Sequence, residues 1–190
     1  MNNGKTIKLW NPIDNVLIFI CDKLNTLLYK LHFTPNIITT ISLLITFISL
    51  FLIQYKYYRI GAILIFIGYF FDCDDGNYAR KYNMVSKFGD YYDHISDVFK
   101  IILLAIIIYH LKIKNKTKII LLIIAIIFIL LLAIHMGCQE KYYRPSSLDP
   151  LKTMCRKKEH IKYTRYGGCG TFFVVLCVYL FFLKEINRVL

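Results

Sequence analysis

Six of the twelve acidic residues in this chain fall between positions 72 and 97. Asp72 and Asp75 are spaced i, i+3, and Asp93 and Asp97 are spaced i, i+4, so each pair shares one face if its segment is helical. Carboxylate oxygens are the ligands that Mg²⁺ and Mn²⁺ prefer in proteins. Four carboxylates on two neighbouring helices can hold two such ions, which is the arrangement used for displacement at a phosphate.

Small residues and one arginine accompany these aspartates. Gly76 and Gly89 have no side chain, so a ligand or another backbone can come close to them. Arg80 follows Asp75 by about one helical turn and is placed to reach an anionic phosphate. Asp74 points away from Asp72 on a helix, and we expect it at the rim of a cavity.

A lysine lies one turn beyond the last aspartate, within the same apolar stretch. Lys100 either balances the acids or extends along the helix toward the membrane surface, and its position in the sequence fits both interpretations. A purely structural network, in which the acids pair with nearby basic residues, is the alternative to a metal site. Four carboxylates on shared faces together with two glycines favour the functional interpretation.

The composition predicts a membrane protein. Hydrophobic residues make up 57% of the 190 residues and the mean hydropathy is +0.50, which argues against disorder and against an ordinary soluble domain. The net charge of +12 is divided by long apolar stretches, so no continuous basic face for nucleic acid can form. An acid at the centre of a helix in lipid costs about 2.5–3.5 kcal/mol. The six clustered acids must therefore face a hydrated cavity or bind cations.

Hydropathy predicts an all-α fold, a polytopic bundle of transmembrane helices. Residues 11–32 are amphipathic and suit a helix in the membrane interface, and Thr34 and Pro35 suit the cap and first turn of the next helix. We therefore divide the chain into an interfacial segment, 1–34, and a transmembrane domain, 35–190. Five stretches are long enough to cross about 30 Å of hydrocarbon, namely 36–54, 58–80, 89–111, 117–138 and 166–183.

The distribution of basic residues predicts the orientation of these spans. With the N-terminus in the cytoplasm, fifteen of the 24 Lys and Arg residues lie on the inner side, eight lie on the outer side, and Lys100 lies within a span. Positive charge is enriched in cytoplasmic loops. The acidic segment joins the second and third spans and then opens toward the cytoplasm.

The six cysteines show no metal-binding or redox spacing. None forms a C-x-x-C pair, and none combines with histidine at zinc-site spacing. We expect free thiols, buried or facing a reducing compartment.

The acidic segment resembles a known motif. It reads Asp72-x2-Asp75-Gly76-x2-Ala79-Arg80-x8-Gly89-x3-Asp93-x3-Asp97, which has every position and spacing of the CDP-alcohol phosphatidyltransferase motif. Eight fixed residues over 26 positions make a specific signature. The resemblance implies an integral-membrane enzyme of phospholipid synthesis that transfers a substituted phosphate group from a CDP-linked donor to an alcohol and releases CMP.

The resemblance also implies roles for individual residues. Asp72, Asp75 and Asp93 would bind Mg²⁺ or Mn²⁺, with two ions in all, and Asp97 would be a ligand or neighbour of the metal and the general base. The CDP donor would be bound at Asp72, Gly76, Ala79, Arg80 and Gly89. Family members commonly have six spans and form homodimers, whereas the hydropathy of this chain predicts five spans.

Three further functions compete with a transferase that uses CDP-diacylglycerol. The same motif serves enzymes that transfer phosphocholine or phosphoethanolamine from their CDP forms to diacylglycerol. A divalent-cation transporter would explain the carboxylates, but it does not explain Gly76, Ala79, Arg80 and Gly89 at fixed spacing. A catalytically inactive membrane scaffold would not need an intact set of four aspartates.

Overall fold

The structure is a computed structural model that describes residues 11–142 and 149–189, and in these residues the chain is helical and has no strands. The predicted all-α bundle is confirmed. The first ten residues of the predicted interfacial segment lie outside the described residues. The helices are α1 (Pro12–Lys30), α2 (Pro35–Gln54), α3 (Tyr58–Lys81), α4 (Lys87–His110), α5 (Asn115–Tyr142), α6 (Asp149–Lys152), α7 (Ile161–Thr164), α8 (Cys169–Phe181) and α9 (Leu183–Val189), with 3₁₀ turns at Lys158–His160 and Arg165–Gly167.

Contacts divide the chain into two compact units. The first unit comprises the described part of Met1–Val16 together with Ile119–Phe172, and the second comprises Leu17–Lys118 together with the described part of Phe173–Leu190. The second unit contains the whole acidic motif. In it, α2 packs against both α3 and α4.

Small and hydroxyl side chains let α2 and α3 approach closely. Ser49 Oγ donates a hydrogen bond to the carbonyl of Gly61 at 2.6 Å. A Cβ on Gly61 would lie 2.5 Å from Cγ1 of Ile53, and a Cβ on Gly68 would lie 2.8 Å from Oγ1 of Thr46. Small residues at such contacts are how membrane helices bring their backbones together.

The helices that carry the motif have well-defined ends. Thr34 caps α2, and its Oγ1 accepts from the amide of Ile37 at 3.3 Å, as the sequence predicts. At the end of α3, Asn83 adopts a φ of 57° and the amide of Met84 donates to the carbonyl of Ala79 at 2.8 Å. This is a Schellman ending, in which a left-handed residue closes the helix. The motif helix therefore stops just beyond Arg80.

Three helical stretches are long and apolar enough to cross a membrane, judged by length and composition over the described residues. They are Pro35–Gln54, Asn115–Gln139 and Lys158–Phe181. The first two coincide with predicted spans. The third begins earlier than the predicted 166–183, because short helical turns precede α8.

The predicted second and third spans are α3 and α4, each of 24 residues. At 1.5 Å per residue such a helix is about 36 Å long, which is enough for the hydrocarbon core. These two helices differ from the three apolar stretches in their charge, because the motif aspartates and Lys100 lie within them. The prediction that α3 and α4 cross the membrane stays a prediction.

The first unit contains a disulfide, so the expectation of free thiols is wrong for two of the six cysteines. Cys138, near the end of α5, is bonded to Cys155, 17 residues further on, and both are fully buried. The disulfide joins α5 to the segment that follows α6, and no local spacing in the sequence marks the two cysteines. The other four cysteines form no disulfide in the structure, as expected.

Glycines in the first unit serve packing. Asn11 is fully buried, and its Nδ2 donates to the carbonyl of Arg165 at 2.8 Å and to Oγ1 of Thr171 at 2.7 Å. A Cβ on Gly168 would lie 3.2 Å from Cβ of Asn11, and a Cβ on Gly170 would lie 2.8 Å from Oδ1 of Asn11. These glycines therefore leave room for the start of α1.

Candidate active site

Three of the four motif aspartates meet in the second unit. One carboxylate oxygen from each of Asp72, Asp75 and Asp93 lies within 4.8 Å of the other two. Asp75 is buried, with 4% of its surface exposed, and the other two are partly exposed. Three like charges at this spacing repel one another unless a cation lies among them. The oxygen ligands, their number and their spacing fit one hard divalent ion, Mg²⁺ or Mn²⁺.

Two hydroxyl groups of α2 hold these carboxylates from the side. Thr39 Oγ1 donates to Oδ2 of Asp75 at 2.5 Å, and Ser42 Oγ donates to Oδ1 of Asp72 at 3.3 Å. Both hydroxyl residues are buried. Each hydroxyl fixes the direction of one carboxylate, as partners behind a metal ligand do.

The spacing of hydroxyl residues along α2 is a sequence signal for these contacts that lies outside the acidic motif. Thr39, Ser42, Thr46 and Ser49 recur at spacings of three and four within an otherwise apolar helix. Such residues lie on one face of the helix. In a membrane span, a stripe of hydroxyls predicts the face that packs against another helix or against a polar site.

Lys100 balances the acids, which decides between the two interpretations of its position. It is buried, its Nζ pairs with Asp72, and it donates to Oδ1 of Asp97 at 3.0 Å and to Oγ of Ser42 at 3.2 Å. Asp97 is thus held by Lys100 rather than within the three-carboxylate group, although Asp72 and Asp93 are electrostatic neighbours of Asp97. The amine gives this end of the site a fixed positive charge.

Replacing Lys100 is expected to destabilise the protein most when no metal is present. The Lys100→Met change leaves Asp72 and Asp97 without their cation, and we expect a loss of roughly 2–3 kcal/mol in unfolding free energy, less than for a fully buried pair because Asp97 is partly exposed. Added Mn²⁺ should restore part of that loss. The measurement is thermal unfolding in detergent with chelator and with Mn²⁺, and Lys100→Arg, which keeps the charge, is the control. Equal destabilisation of the Met variant under both conditions would contradict this interpretation.

Arg80 folds back over Gly76. A Cβ on Gly76 would lie 3.0 Å from Nη1 of Arg80 and 3.4 Å from its Nη2. The guanidinium also interacts electrostatically with Asp75 and Asp93. Gly76 therefore leaves room for the side chain of Arg80. Ala79, the residue before Arg80, is partly exposed and has a small side chain.

Gly89 lies in the first turn of α4. Its amide donates to Oγ of the capping residue Ser86 at 3.0 Å. A Cβ at this position would lie 3.1 Å from that hydroxyl and 3.2 Å from Oδ1 of Asn36. The glycine therefore allows the starts of α2 and α4 to come close, and this contact positions Asp93 one turn later.

Two other acids of the segment differ in their surroundings. The prediction that Asp74 lies at a cavity rim is wrong, because Asp74 is fully buried with Cys21 and Asn25 of α1 as neighbours. The α1 helix covers the face of α3 that carries Asp74, and the sequence does not show this contact. Asp90 lies 3.6 Å from Nε2 of His94, on the same helix.

One protein-family model matches this chain. The family is CDP-alcohol phosphatidyltransferase, and the match covers residues 32–190. No curated protein and no solved structure matches the chain. With the three apolar helices, the match makes this a membrane protein of a transferase family. Since the matched region contains the whole acidic motif and most of the sequence, the chain belongs to the CDP-alcohol phosphatidyltransferase family.

Proposed function

We propose that this chain transfers a phosphatidyl group from CDP-diacylglycerol to the hydroxyl of a small alcohol, with release of CMP. The observation that carries the proposal is the group of three carboxylates, Asp72, Asp75 and Asp93, on the face of the site that Arg80 also reaches. Family membership supports transfer of a phosphoalcohol group from a CDP-alcohol. The specific donor and acceptor belong to the proposal.

The metal ligands in this proposal are the motif aspartates. Asp72, Asp75 and Asp93 would hold one Mg²⁺ or Mn²⁺, and Asp97 would complete a second site beside them. When bound, such ions neutralise the charge on the phosphate under attack and on the departing CMP. The hydroxyls of Thr39 and Ser42 would keep the carboxylates of Asp75 and Asp72 directed toward the ion.

Asp97 is the proposed general base. It is partly exposed, with 42% of its side chain accessible, and Lys100 holds only its Oδ1 in the structure. The acceptor hydroxyl gives its proton to a free carboxylate oxygen of Asp97 as its oxygen attacks the phosphorus that bears the diacylglycerol. The bond from that phosphorus to the bridging oxygen of the CDP group breaks, and CMP leaves with the bonding electrons.

The remaining motif residues bind the donor in this account. Arg80 contacts the anionic diphosphate, since a guanidinium can donate two parallel hydrogen bonds to phosphate oxygens. Gly76, Ala79 and Gly89 leave space for the cytidine nucleotide, and Asp72 contributes to the same site. Catalysis by such a site consists mostly of positioning and electrostatic stabilisation.

The proposal also includes the surroundings of the enzyme. We infer a multi-pass arrangement with the active site open to the cytoplasm, because basic residues are concentrated on that side of the predicted spans. We further infer an interfacial segment, 1–34, a transmembrane domain, 35–190, and a homodimer. The charge distribution and the family membership support these inferences.

Reconstituted vesicles separate an enzyme from a cation transporter. Protein in vesicles with an internal Mn²⁺-sensitive dye would be given Mn²⁺, CDP-diacylglycerol and an alcohol outside. We expect CMP release without dye response, because the carboxylates serve catalysis. Dye response without CMP release would support the transporter, and CMP release only from CDP-choline or CDP-ethanolamine with diacylglycerol would move the proposal to the other donor class.

A further inference from the structure

A polar cavity lies at the end of α3 that is opposite to the aspartates. It has a volume of about 400 Å³ and lies within the second unit. At 1.5 Å per residue, the helix places Tyr58, which lines this cavity, about 26 Å from Asp75. The cavity is thus separate from the candidate active site. Its lining includes four basic residues and one acid: Lys56, Arg59, Lys184, Arg188 and Glu185.

The charges around this cavity are unbalanced. Arg59 Nη2 pairs with Oε1 of Glu185 at 2.8 Å, and the guanidinium of Arg59 lies 5.4 Å from the ring centre of Phe181. A hydrogen bond from its own backbone amide, together with Arg59, holds the pKa of Glu185 below its usual range, so this carboxylate is ionised at neutral pH. Among the described lining residues Glu185 is the single acid, and it opposes four cations. The cavity therefore suits an anion.

The backbone around the cavity is firmly held. Lys56 adopts a φ of 69°, and the amide of Tyr57 donates to the carbonyl of Leu52 at 2.9 Å. Glycine or asparagine is the usual residue at such a helix ending. On the other wall, the amide of Lys114 donates to Oδ1 of Asn187 in α9 at 2.7 Å. These bonds fix the backbone next to Lys56 and in α9.

An apolar groove continues from this cavity. Phe181 lines both, and from it the groove follows α3 and α8. The groove has a volume of about 360 Å³. Its described lining has no charged side chain and comprises Ala62, Ile63, Phe66, Ile67, Cys177, Val178, Phe181 and Phe182. A basic cavity joined to an apolar groove matches a molecule with an anionic head and a hydrocarbon tail.

We propose that this cavity and groove bind an anionic phospholipid, with the phosphate among Lys56, Lys184 and Arg188 and one acyl chain along α3 and α8. Lysine and arginine next to aromatic rings at the end of an apolar helix are typical of the headgroup level of a bilayer. The groove favours a lipid over free phosphate, because free phosphate would use only the basic cavity. The bound lipid is structural, since the site lies far from the aspartates.

Lipid-dependent unfolding of the purified full-length protein tests this proposal. The protein would be heated in neutral detergent with phosphatidylglycerol, with phosphatidylcholine, or with inorganic phosphate. We expect phosphatidylglycerol to raise the unfolding temperature, because a ligand that binds only the folded state stabilises it. The Lys184→Gln/Arg188→Gln variant should bind this lipid about tenfold more weakly or worse, since each basic residue near a headgroup contributes about 1 kcal/mol.

A matched variant controls for loss of charge alone. Lys112→Gln/Lys116→Gln removes two exposed lysines that do not line the cavity, and it should respond to phosphatidylglycerol like the original protein. If the Lys184→Gln/Arg188→Gln protein fails to fold, the single Lys184→Gln variant takes its place in the test. Equal stabilisation by phosphatidylcholine, an equal effect of inorganic phosphate, or equal loss in both double variants would overturn the proposal. The inactive Asp97→Asn protein should keep the lipid response, so this result is independent of the proposed enzymatic activity.

Discussion

Asp97→Asn protein is expected to release CMP about 10²–10⁴-fold more slowly than the original chain, because general base catalysis contributes a factor of that order. The amide cannot take a proton from the acceptor hydroxyl at neutral pH. It can still accept the hydrogen bond that Lys100 gives to Oδ1 at 3.0 Å, so the side chain should keep its place. CMP release under saturating donor and acceptor, followed by chromatography, measures the effect.

The control for Asp97→Asn is the same change at an exposed acid. Asp22 of α1 is half exposed and accepts hydrogen bonds from Asn77 and Lys81 away from the carboxylate group. Asp22→Asn should change the rate by no more than about twofold, as surface substitutions usually do. An Asp97→Asn protein that keeps its rate would remove Asp97 from the role of base, whatever its effect on metal binding.

Asp75→Asn is expected to reduce both Mn²⁺ affinity and CMP release, each by about 10-fold or more, since a charged oxygen ligand is lost from the group of three. Asp75 is the most buried of the three, and Thr39 directs one of its oxygens. The amide keeps the shape of the side chain, so the fold should persist. Titration of Mn²⁺ followed by electron paramagnetic resonance measures the affinity without reference to activity.

The neighbouring aspartate supplies the matched control for this change. Asp74 is also buried, but its neighbours are Asn25 and Cys21, and it is absent from the carboxylate group. Asp74→Asn should leave Mn²⁺ affinity unchanged. Identical titrations of the Asp74→Asn and Asp75→Asn proteins would contradict the placement of the metal on the face of α3 that carries Asp72 and Asp75.

Helical spacing predicts the Asp72–Asp75 pair, but it also predicts that Asp97 joins the group, whereas Lys100 holds Asp97 in the structure. Asp72 and Asp75 share a face because they are three residues apart, whereas Asp93 meets them because α2 packs against both α3 and α4. The position of the first span and its Thr34 cap were likewise readable from local signals. The Asp72–Asp75 pair and the Thr34 cap each depend on residues that lie within a few turns of one helix.

Other features depend on contacts between distant segments. The bond from Thr39 to Asp75 joins residues 36 apart, and the pairing of Lys100 with Asp72 joins residues 28 apart. Asp74 is buried because α1 covers it, and the bond between Cys138 and Cys155 joins residues 17 apart. Apart from the stripe of hydroxyl residues on α2, none of these contacts leaves a periodic pattern in a single sequence. The charge that the motif places on α3 and α4 keeps these two helices out of the three most apolar stretches, although hydropathy predicts both as spans.

CMP release by purified protein, with and without a chelator, is the direct test of whether this chain is a metal-dependent transferase. The protein in detergent would receive Mn²⁺, CDP-diacylglycerol or CDP-choline, and each of a panel of alcohols. We expect CMP release with one donor and one alcohol, and loss of that release when a chelator removes the divalent ion. Full release in excess chelator, or no release for any pairing by folded, metal-loaded protein, would contradict it.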